Sequence, residues 1–161
     1  MRNELILATA LIACSACGGT RDDEMMDRAA LEKFAIDYTA AWNSGIPENV
    51  ASFYAQDGSL AINGGEPSVG RAALADVARS FMDGFPDMVL EFDGLKFTDG
   101  RVNYHWTFRG RHTGPGGTGS AVDFSGYESW LFNEEGLVSE SLGNFDAEDY
   151  ERQLAAGAVN E

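Results

Sequence analysis

Glu128 is the residue whose setting in the sequence most directly suggests chemistry. Its neighbours at alternate positions are apolar residues or glycine: Val122, Phe124, Gly126, Trp130 and Phe132. Alternation with a period of two places all of them on one face of a strand. A carboxylate on that face costs several kcal/mol unless it is paired, hydrogen-bonded or protonated. We expect either a functional carboxyl in a pocket or an open strand end, where Glu128 is solvated or paired with Arg109 or Arg111.

Three further side chains have acid–base or hydrogen-bonding chemistry. His112 directly precedes the glycine-rich segment 113–119, where it can belong to a mobile pocket rim or be an exposed loop histidine. Asp146 follows the last predicted strand, where it can move a proton or cap the next helix by accepting backbone N–H groups. Tyr38 lies on the apolar face of a predicted helix, a position that also suits a core tyrosine with a satisfied hydroxyl.

Helices are predicted mainly in the first half of the chain. Apolar residues recur at helical spacing from Leu31 to Trp42, and Gly45 ends that helix. Two more helices are predicted at Glu48–Ala55 and Gly70–Asp83, with a short strand between them at Ser59–Ile62. These elements place Tyr38 and Trp42 on the same side of the first helix.

Strands are predicted in the second half. The turn Asp99-Gly100 is a strong hairpin signal. Four strands are predicted, at Met88–Phe97, Arg101–Arg111, Val122–Phe132 and Leu137–Phe145. A helix at Asp146–Ala155 follows the last of them. In the second strand one face is apolar: Val102, Tyr104, Trp106 and Phe108. In the last strand the alternation groups Val138, Glu140, Leu142, Asn144 and Asp146 on one face. Helices followed by meandering strands predict an α+β fold.

Several aromatic residues on these faces are candidates for the wall of a ligand site: Trp42, Trp106, Phe108, Phe124 and Trp130. Small-molecule sites are mostly apolar, with a few polar groups that orient the ligand. The partner expected on this basis is a small apolar or aromatic molecule. The alternative interpretation is that these aromatic rings simply fill the core.

The order of the elements and six short stretches resemble the SnoaL-like branch of the NTF2-like superfamily. The stretches are Tyr38–Gly45, Phe53–Gly58, Gly70–Leu74, Trp106–Gly114, Gly136–Val138 and Phe145–Asp146. The resemblance covers about residues 28–155 and implies a cone, in which N-terminal helices pack on a strongly curved, mostly antiparallel sheet around a hydrophobic cavity. It places one such domain at residues 25–157. The superfamily includes isomerases, cyclases, dehydratases, hydrolases and binding modules, so the fold alone selects no reaction.

The resemblance also implies roles for individual residues. Tyr38 falls where the ketosteroid isomerase-related branch has its oxyanion tyrosine, and Glu128 falls where that branch keeps a protonated carboxylic acid. The general base of that branch falls at Ile62, which cannot accept a proton. Asp146 lies near the acid that follows the last strand in SnoaL-like cyclases. In that strand, Ser141 and Leu142 depart from the cyclase pattern.

Two hypotheses for the function follow. The first is a binding module with a hydrophobic pocket and no assigned reaction. The second is an acid–base enzyme of the isomerase or cyclase type, in which Tyr38 and Glu128 stabilise an oxyanion and Asp146 or His112 moves the proton. Neither requires a metal or cofactor. A homodimer formed through an open sheet face is a further possibility.

Charge and composition exclude other classes of function. The 161 residues carry 26 acidic and 11 basic side chains, for a formal net charge of −15. This balance excludes a phosphate backbone as the main partner, because nucleic-acid affinity depends on Lys and Arg. The two histidines and two cysteines provide no zinc-type spacing.

The N-terminal segment predicts export and attachment to a membrane. Residues 5–13 are apolar and of signal-peptide length, and Leu11-Ile12-Ala13-Cys14 resembles the bacterial lipobox. The resemblance implies a signal peptide at 1–13, a lipidated Cys14 and a flexible tether at 14–24. Ser15 after the anchor favours the outer membrane, with the domain facing the periplasm. The alternative is a cytosolic protein with an apolar N-terminus.

Overall fold

The computed structural model describes residues 27–157. The predicted signal peptide, Cys14 and the tether lie outside these residues. Within them, the elements are α1 Arg28–Asn43, α2 Pro47–Ala51, β1 Tyr54–Ile62, β2 Ser68–Val69, α3 Arg71–Gly84, β3 Val89–Thr98, β4 Arg101–Arg111, β5 Ala121–Phe132, β6 Val138–Phe145 and α4 Ala147–Gly157. None of the helices in this part of the chain is long and apolar enough to cross a membrane.

The six strands form one curved sheet in the order β2-β1-β6-β5-β4-β3. β1 pairs with β6 in parallel, and all other neighbouring strands are antiparallel. Helix α1 packs against β3, α3 packs against β1 and β2, and α4 packs against β5. The core lies between the helices and the inner face of the sheet. The predicted α+β cone, with N-terminal helices on a mostly antiparallel sheet, is therefore confirmed.

The predicted alternation of β4 and β5 is also confirmed. Val102, Tyr104, Trp106 and Phe108 are all buried, and the residues between them are more exposed. In β5, Glu128 faces inward with Trp130 on one side and Gly126 on the other. The turn between β3 and β4 has the predicted form, because Asp99 and Gly100 both adopt positive φ, at 51° and 75°, as a tight hairpin turn requires.

The predicted helix Glu48–Ala55 is wrong in its second half. Helix α2 ends at Ala51, and β1 begins at Tyr54, five residues before the predicted strand Ser59–Ile62. The backbone explains the difference, because Val138 N donates to Phe53 O at 3.0 Å and Tyr54 pairs with Val138 across the parallel ladder. Pairing with a distant strand thus overrides the local helical pattern, and it brings the Tyr54 side chain into the core.

The face predicted for β6 is wrong beyond its first residue. Phe132 pairs with Val138 while Leu131 pairs with Glu140, so Ser139 is an extra residue and forms a β-bulge. The bulge inverts the alternation. Val138 is buried, but beyond it the inward residues are Ser141, Gly143 and Phe145, whereas Leu142, which the alternation groups with Val138, is 39% exposed.

Gly126 makes room for a tryptophan on the inner face of the sheet. It lies opposite Trp106 on β4 and opposite Phe145 on β6. A Cβ at position 126 would lie 2.5 Å from a ring carbon of Trp106 and 2.5 Å from the backbone oxygen of Asn144. Because both contacts are too short, the indole of Trp106 can occupy its position only while residue 126 has no side chain.

We expect Gly126→Ala to lower the free energy of unfolding by about 1–3 kcal/mol through overpacking. Urea denaturation followed by circular dichroism measures this change. Gly143→Ala is the matched control, since a Cβ there makes only ordinary contacts of 3.6–3.7 Å. Equal stability of the two variants would contradict this account of Gly126.

Candidate functional site

Glu128 lies on the inner face of β5, is 7% exposed and receives hydrogen bonds from four side chains. Its Oε2 accepts from Ser141 Oγ at 2.7 Å, from Trp130 Nε1 at 3.0 Å and from the Tyr54 hydroxyl at 3.2 Å. The Tyr38 hydroxyl lies 3.1 Å from Oε2 and 3.2 Å from Oε1. We call Tyr38, Tyr54, Trp130 and Ser141 the donor cluster. Most of these bonds converge on Oε2, so Oε1 is the less occupied carboxyl oxygen.

The donor cluster is assembled from four separate elements. Tyr38 comes from α1, Tyr54 is the first residue of β1, Trp130 lies two residues beyond Glu128 on β5, and Ser141 is turned inward by the bulge in β6. The Tyr38 and Tyr54 hydroxyls also lie 3.0 Å apart. The carboxyl group is therefore fixed by contacts that exist only when the helix and three strands are assembled.

The ring of Tyr104 packs against the donor cluster. Tyr104 on β4 stacks on Trp130, with ring centroids 4.7 Å apart and planes within 9°. The hydroxyl of Tyr104 lies 2.7 Å from Thr39 Oγ1 on α1. This arrangement holds the indole of Trp130 in the orientation that donates to Glu128.

Burial controls the electrostatics of the cluster. It raises the pKa of Glu128 above its ordinary value, while the hydrogen bonds from Trp130, Ser141, Tyr38 and Tyr54 lower the pKa and limit that rise. Burial, followed by the negative charge of Glu128, raises the pKa of both tyrosines well above 10. The tyrosines are thus neutral donors, and Glu128 is poised to hold a proton more readily than a surface glutamate.

The alternative that Glu128 is solvated or paired with an arginine is not what the structure shows. Within residues 27–157 Glu128 forms no salt bridge. Arg109 lies at an outward position of β4 and pairs with Glu91 at 2.6 Å and Asp123 at 2.9 Å. Arg111 also lies at an exposed position of that strand. The alternation of β4 turns both arginines away from the face that carries Glu128.

Glu128 borders a cavity of about 50 Å³ on the inner face of the sheet. The wall is built mainly from aromatic rings: Trp42, Phe81, Trp106, Phe108, Phe124 and Phe145. Aliphatic residues, among them Leu60 and Ile62, complete it. Among the described residues, Glu128 is the one ionisable side chain in this wall. A carboxyl group is thus presented to an otherwise apolar space.

The structure brings most of the aromatic candidates to this cavity. Trp42, Trp106, Phe108 and Phe124 line it. Trp130 does not, because its fully buried indole belongs to the donor cluster. Tyr38 is also absent from the wall, since its hydroxyl is directed to Glu128 and Tyr54.

His112 and Asp146 are not among the residues that line the cavity. The imidazole of His112 packs on Phe85 with centroids 5.1 Å apart, and its Nδ1 accepts from the backbone N–H of Thr118 at 3.3 Å. Asp146 Oδ1 accepts from the backbone N–H of Asp149 at 3.0 Å, as the N-cap of α4. In this structure neither side chain contacts Glu128, and each has a structural role.

Two members of the site, Tyr54 and Ser141, are not predicted by the sequence pattern. The sequence pattern predicts Tyr54 near the end of a helix, and the alternation of the last strand leaves Ser141 off the face that it groups with Val138. No local signal identifies either residue, because one depends on parallel pairing with β6 and the other on a bulge. Metal-binding clusters of three or more His, Cys, Asp or Glu side chains are absent from the part of the chain that the structure describes.

The fold resembles many solved structures. TsrD from Streptomyces laurentii is 23% identical, with a TM-score of 0.69 over 81% of this chain and 98% of that protein. A hypothetical protein with a ketosteroid isomerase-like fold from Catenulispora acidiphila, solved in complex with trimethylamine, is 12% identical, with a TM-score of 0.66 over 76% and 92% of the two chains. An NTF2-like protein of unknown function from Burkholderia pseudomallei is 15% identical, with a TM-score of 0.65 over 76% and 95%.

These structural likenesses establish an NTF2-like, ketosteroid isomerase-like fold. No curated protein matches the sequence. The sequence model of one family, described as SnoaL-like polyketide cyclase, matches residues 33–154. This match spans most of the chain and agrees with the fold and with the resemblance found in the sequence. The chain belongs to the SnoaL-like polyketide cyclase family.

Proposed function

We propose that this protein binds a small apolar or aromatic molecule in the cavity beside Glu128. The observation that carries the proposal is the buried Glu128 carboxyl, held by four donors at the wall of an apolar cavity. A buried carboxyl of this kind costs several kcal/mol relative to an apolar side chain. A role in orienting a ligand accounts for its presence in the core.

The dimensions of the cavity limit the ligand. About 50 Å³ accommodates a molecule of a few heavy atoms or one end of a larger molecule. The half-buried side chains of Ile62, Phe81 and Phe145 belong to the wall, so a longer ligand can extend past them toward solvent.

A second candidate function is proton transfer by Glu128. Its raised pKa brings it closer to the value that suits a general acid or base near neutral pH. Because Tyr38 and Tyr54 donate to the carboxyl and are not part of the cavity wall, we propose that they position Glu128 and that, of these three side chains, only Glu128 touches the ligand. In this scheme the carboxylate removes a proton from one atom of the ligand and returns it to another, as an isomerase of this fold class would require.

We further propose that the domain is a lipoprotein attached to the outer membrane and facing the periplasm. The support is the sequence Leu11-Ile12-Ala13-Cys14, which follows an apolar segment of signal-peptide length. Acyl chains on Cys14 would hold the domain at the membrane, since each buried CH₂ contributes about 0.8 kcal/mol. In that location the cavity would take up a molecule from the periplasm.

Gly143→Val tests the binding site. The new side chain would project from the inner face of β6 into the cavity, whereas Leu142→Val changes the exposed neighbour and is the matched control. A screen of small apolar and aromatic compounds by thermal unfolding should identify ligands that raise the Tm of the wild type and of Leu142→Val by several degrees. Gly143→Val should lose this response. A ligand that stabilises all three proteins equally binds elsewhere and would contradict the proposal.

The dependence of stability on pH tests whether Glu128 holds a proton. Because folding raises the pKa of Glu128, its contribution to stability is fully present below the ordinary glutamate value of about 4.3 and is lost as pH rises through the raised folded value. We expect the free energy of unfolding of the wild type, minus that of Glu128→Gln, to fall as pH rises from 4 toward 8. Urea denaturation at each pH measures it. If this difference in the free energy of unfolding stays constant or increases with pH, the proposal that Glu128 holds a proton is contradicted.

The lipid anchor is tested by Cys14→Ser. We expect this variant to move from the membrane fraction to the soluble fraction of bacterial cells, because serine cannot form the thioether that carries the lipid. Cys17→Ser is the matched control and should stay in the membrane fraction. Immunoblots of separated membranes measure both. Membrane association of Cys14→Ser equal to that of the wild type would refute the anchor.

A further inference from the structure

Helix α4 lies over one side of the cavity wall. The ring of Tyr150 packs against Phe124 and Phe145, with ring centroids 5.0 Å and 5.5 Å apart. Both phenylalanines line the cavity, whereas Tyr150 does not. The same tyrosine ring lies 6.5 Å from Phe85, which follows α3. Helix α4 thus forms an outer layer that supports two rings of the wall and reaches the end of α3.

The same helix covers an edge of the sheet that β6 leaves open. The pairing of β6 with β5 extends only as far as Gly126, so residues 121–125 of β5 lie beyond it. There the side-chain amide of Gln153 accepts from Asp123 N at 2.7 Å and donates to Asp123 O at 2.9 Å. The amide therefore occupies the hydrogen-bonding position that a neighbouring strand would fill.

Few apolar contacts hold α4 in this position. Of the four helices that the structure describes, α4 alone contains no buried residue, and its large apolar side chains, Tyr150 and Leu154, are half-buried. An element with so little buried surface opens at a lower free-energy cost than the core. Polar contacts therefore carry much of the attachment, namely the two bonds of Gln153 to β5 and the bond from Ser120 Oγ to Leu154 O.

We infer that α4 is a gate that sets the size of the ligand, and that Gln153 is the positioning residue that keeps it closed. This inference rests on the proposed function and adds the size class of the ligand and its route of entry. The closed cavity of about 50 Å³ holds only a few heavy atoms. When α4 moves away, Phe124 and Phe145 lose the ring of Tyr150 behind them and can turn outward, which admits an aromatic molecule of two or three rings.

Two apolar probes of different size test the gate. Xenon is a single atom that enters small apolar cavities, and ¹²⁹Xe NMR measures its binding. N-phenyl-1-naphthylamine has three aromatic rings, and its fluorescence increases in an apolar site. We expect xenon to bind the closed protein. The naphthylamine should bind only the fraction of molecules in which α4 is open, so its apparent affinity is reduced by that fraction.

Gln153→Ala weakens the attachment of α4 without changing the cavity wall. Because the closed state loses two hydrogen bonds, we expect this variant to bind the naphthylamine about tenfold more tightly than the wild type and to bind xenon with unchanged affinity. Arg152→Ala is the matched control, because Arg152 is exposed and pairs with Asp149 on the same helix. After a check for cooperative unfolding, it should bind both probes as the wild type does.

Stopped-flow fluorescence distinguishes a gate from a merely structural role of Gln153. Since α4 must open before the naphthylamine enters, the observed rate of binding should level off at high probe concentration, at the rate of opening. We expect a faster plateau for Gln153→Ala than for the wild type or Arg152→Ala. Gly143→Val, which fills the cavity, should not bind the naphthylamine.

The outcomes separate the gate from the proposed function. Xenon binding, with equal naphthylamine affinity and equal plateau rates in the wild type, Gln153→Ala and Arg152→Ala, would overturn the gate and leave the cavity as a binding site. Naphthylamine binding that is equally tight in Gly143→Val would also overturn the gate, because the probe then binds elsewhere. Failure of both probes to bind any of these proteins would overturn both proposals.

Discussion

The requirement to satisfy one buried carboxyl group organises the centre of this protein. Between residues 27 and 157 no cation pairs with Glu128, so neutral donors must replace the water that it loses on folding. Tyr38, Tyr54, Trp130 and Ser141 meet this requirement from one helix and three strands. The same bonds that stabilise the carboxyl therefore also tie α1 to the sheet. Stability and site geometry depend on one set of contacts.

The cavity depends on side chains that are small or absent. Gly126 lets the indole of Trp106 lie across β5, and Gly143 leaves open space on β6 beside Leu60 and Ile62. Aromatic rings then close the remaining wall around Glu128. In the part of the chain that the structure describes, the result is a packed core with a small cavity, to which Glu128 presents a polar group.

Local periodicity was sufficient to predict much of this arrangement. The position of Glu128 on an apolar strand face followed from the alternation of β5, because that strand is regular from Val122 to Trp130, whereas its burial was decided by the packing around it. The hairpin at Asp99 and Gly100 followed from turn chemistry. The positions of Asp146 and His112 in the three-dimensional structure could not be predicted, since an acid after a strand and a histidine beside a loop are each compatible with structural and chemical roles.

The sequence by itself determined which faces of the helices and strands are apolar and placed one acidic side chain among them. Only the tertiary structure decided what surrounds that side chain. Tyr54 reaches Glu128 because β1 pairs in parallel with β6, and Ser141 reaches it because the extra residue Ser139 inverts the alternation. Both effects depend on register between strands that are distant in the chain. The free energy that selects such a register comes from contacts formed across the whole sheet, so it leaves no trace in the local pattern.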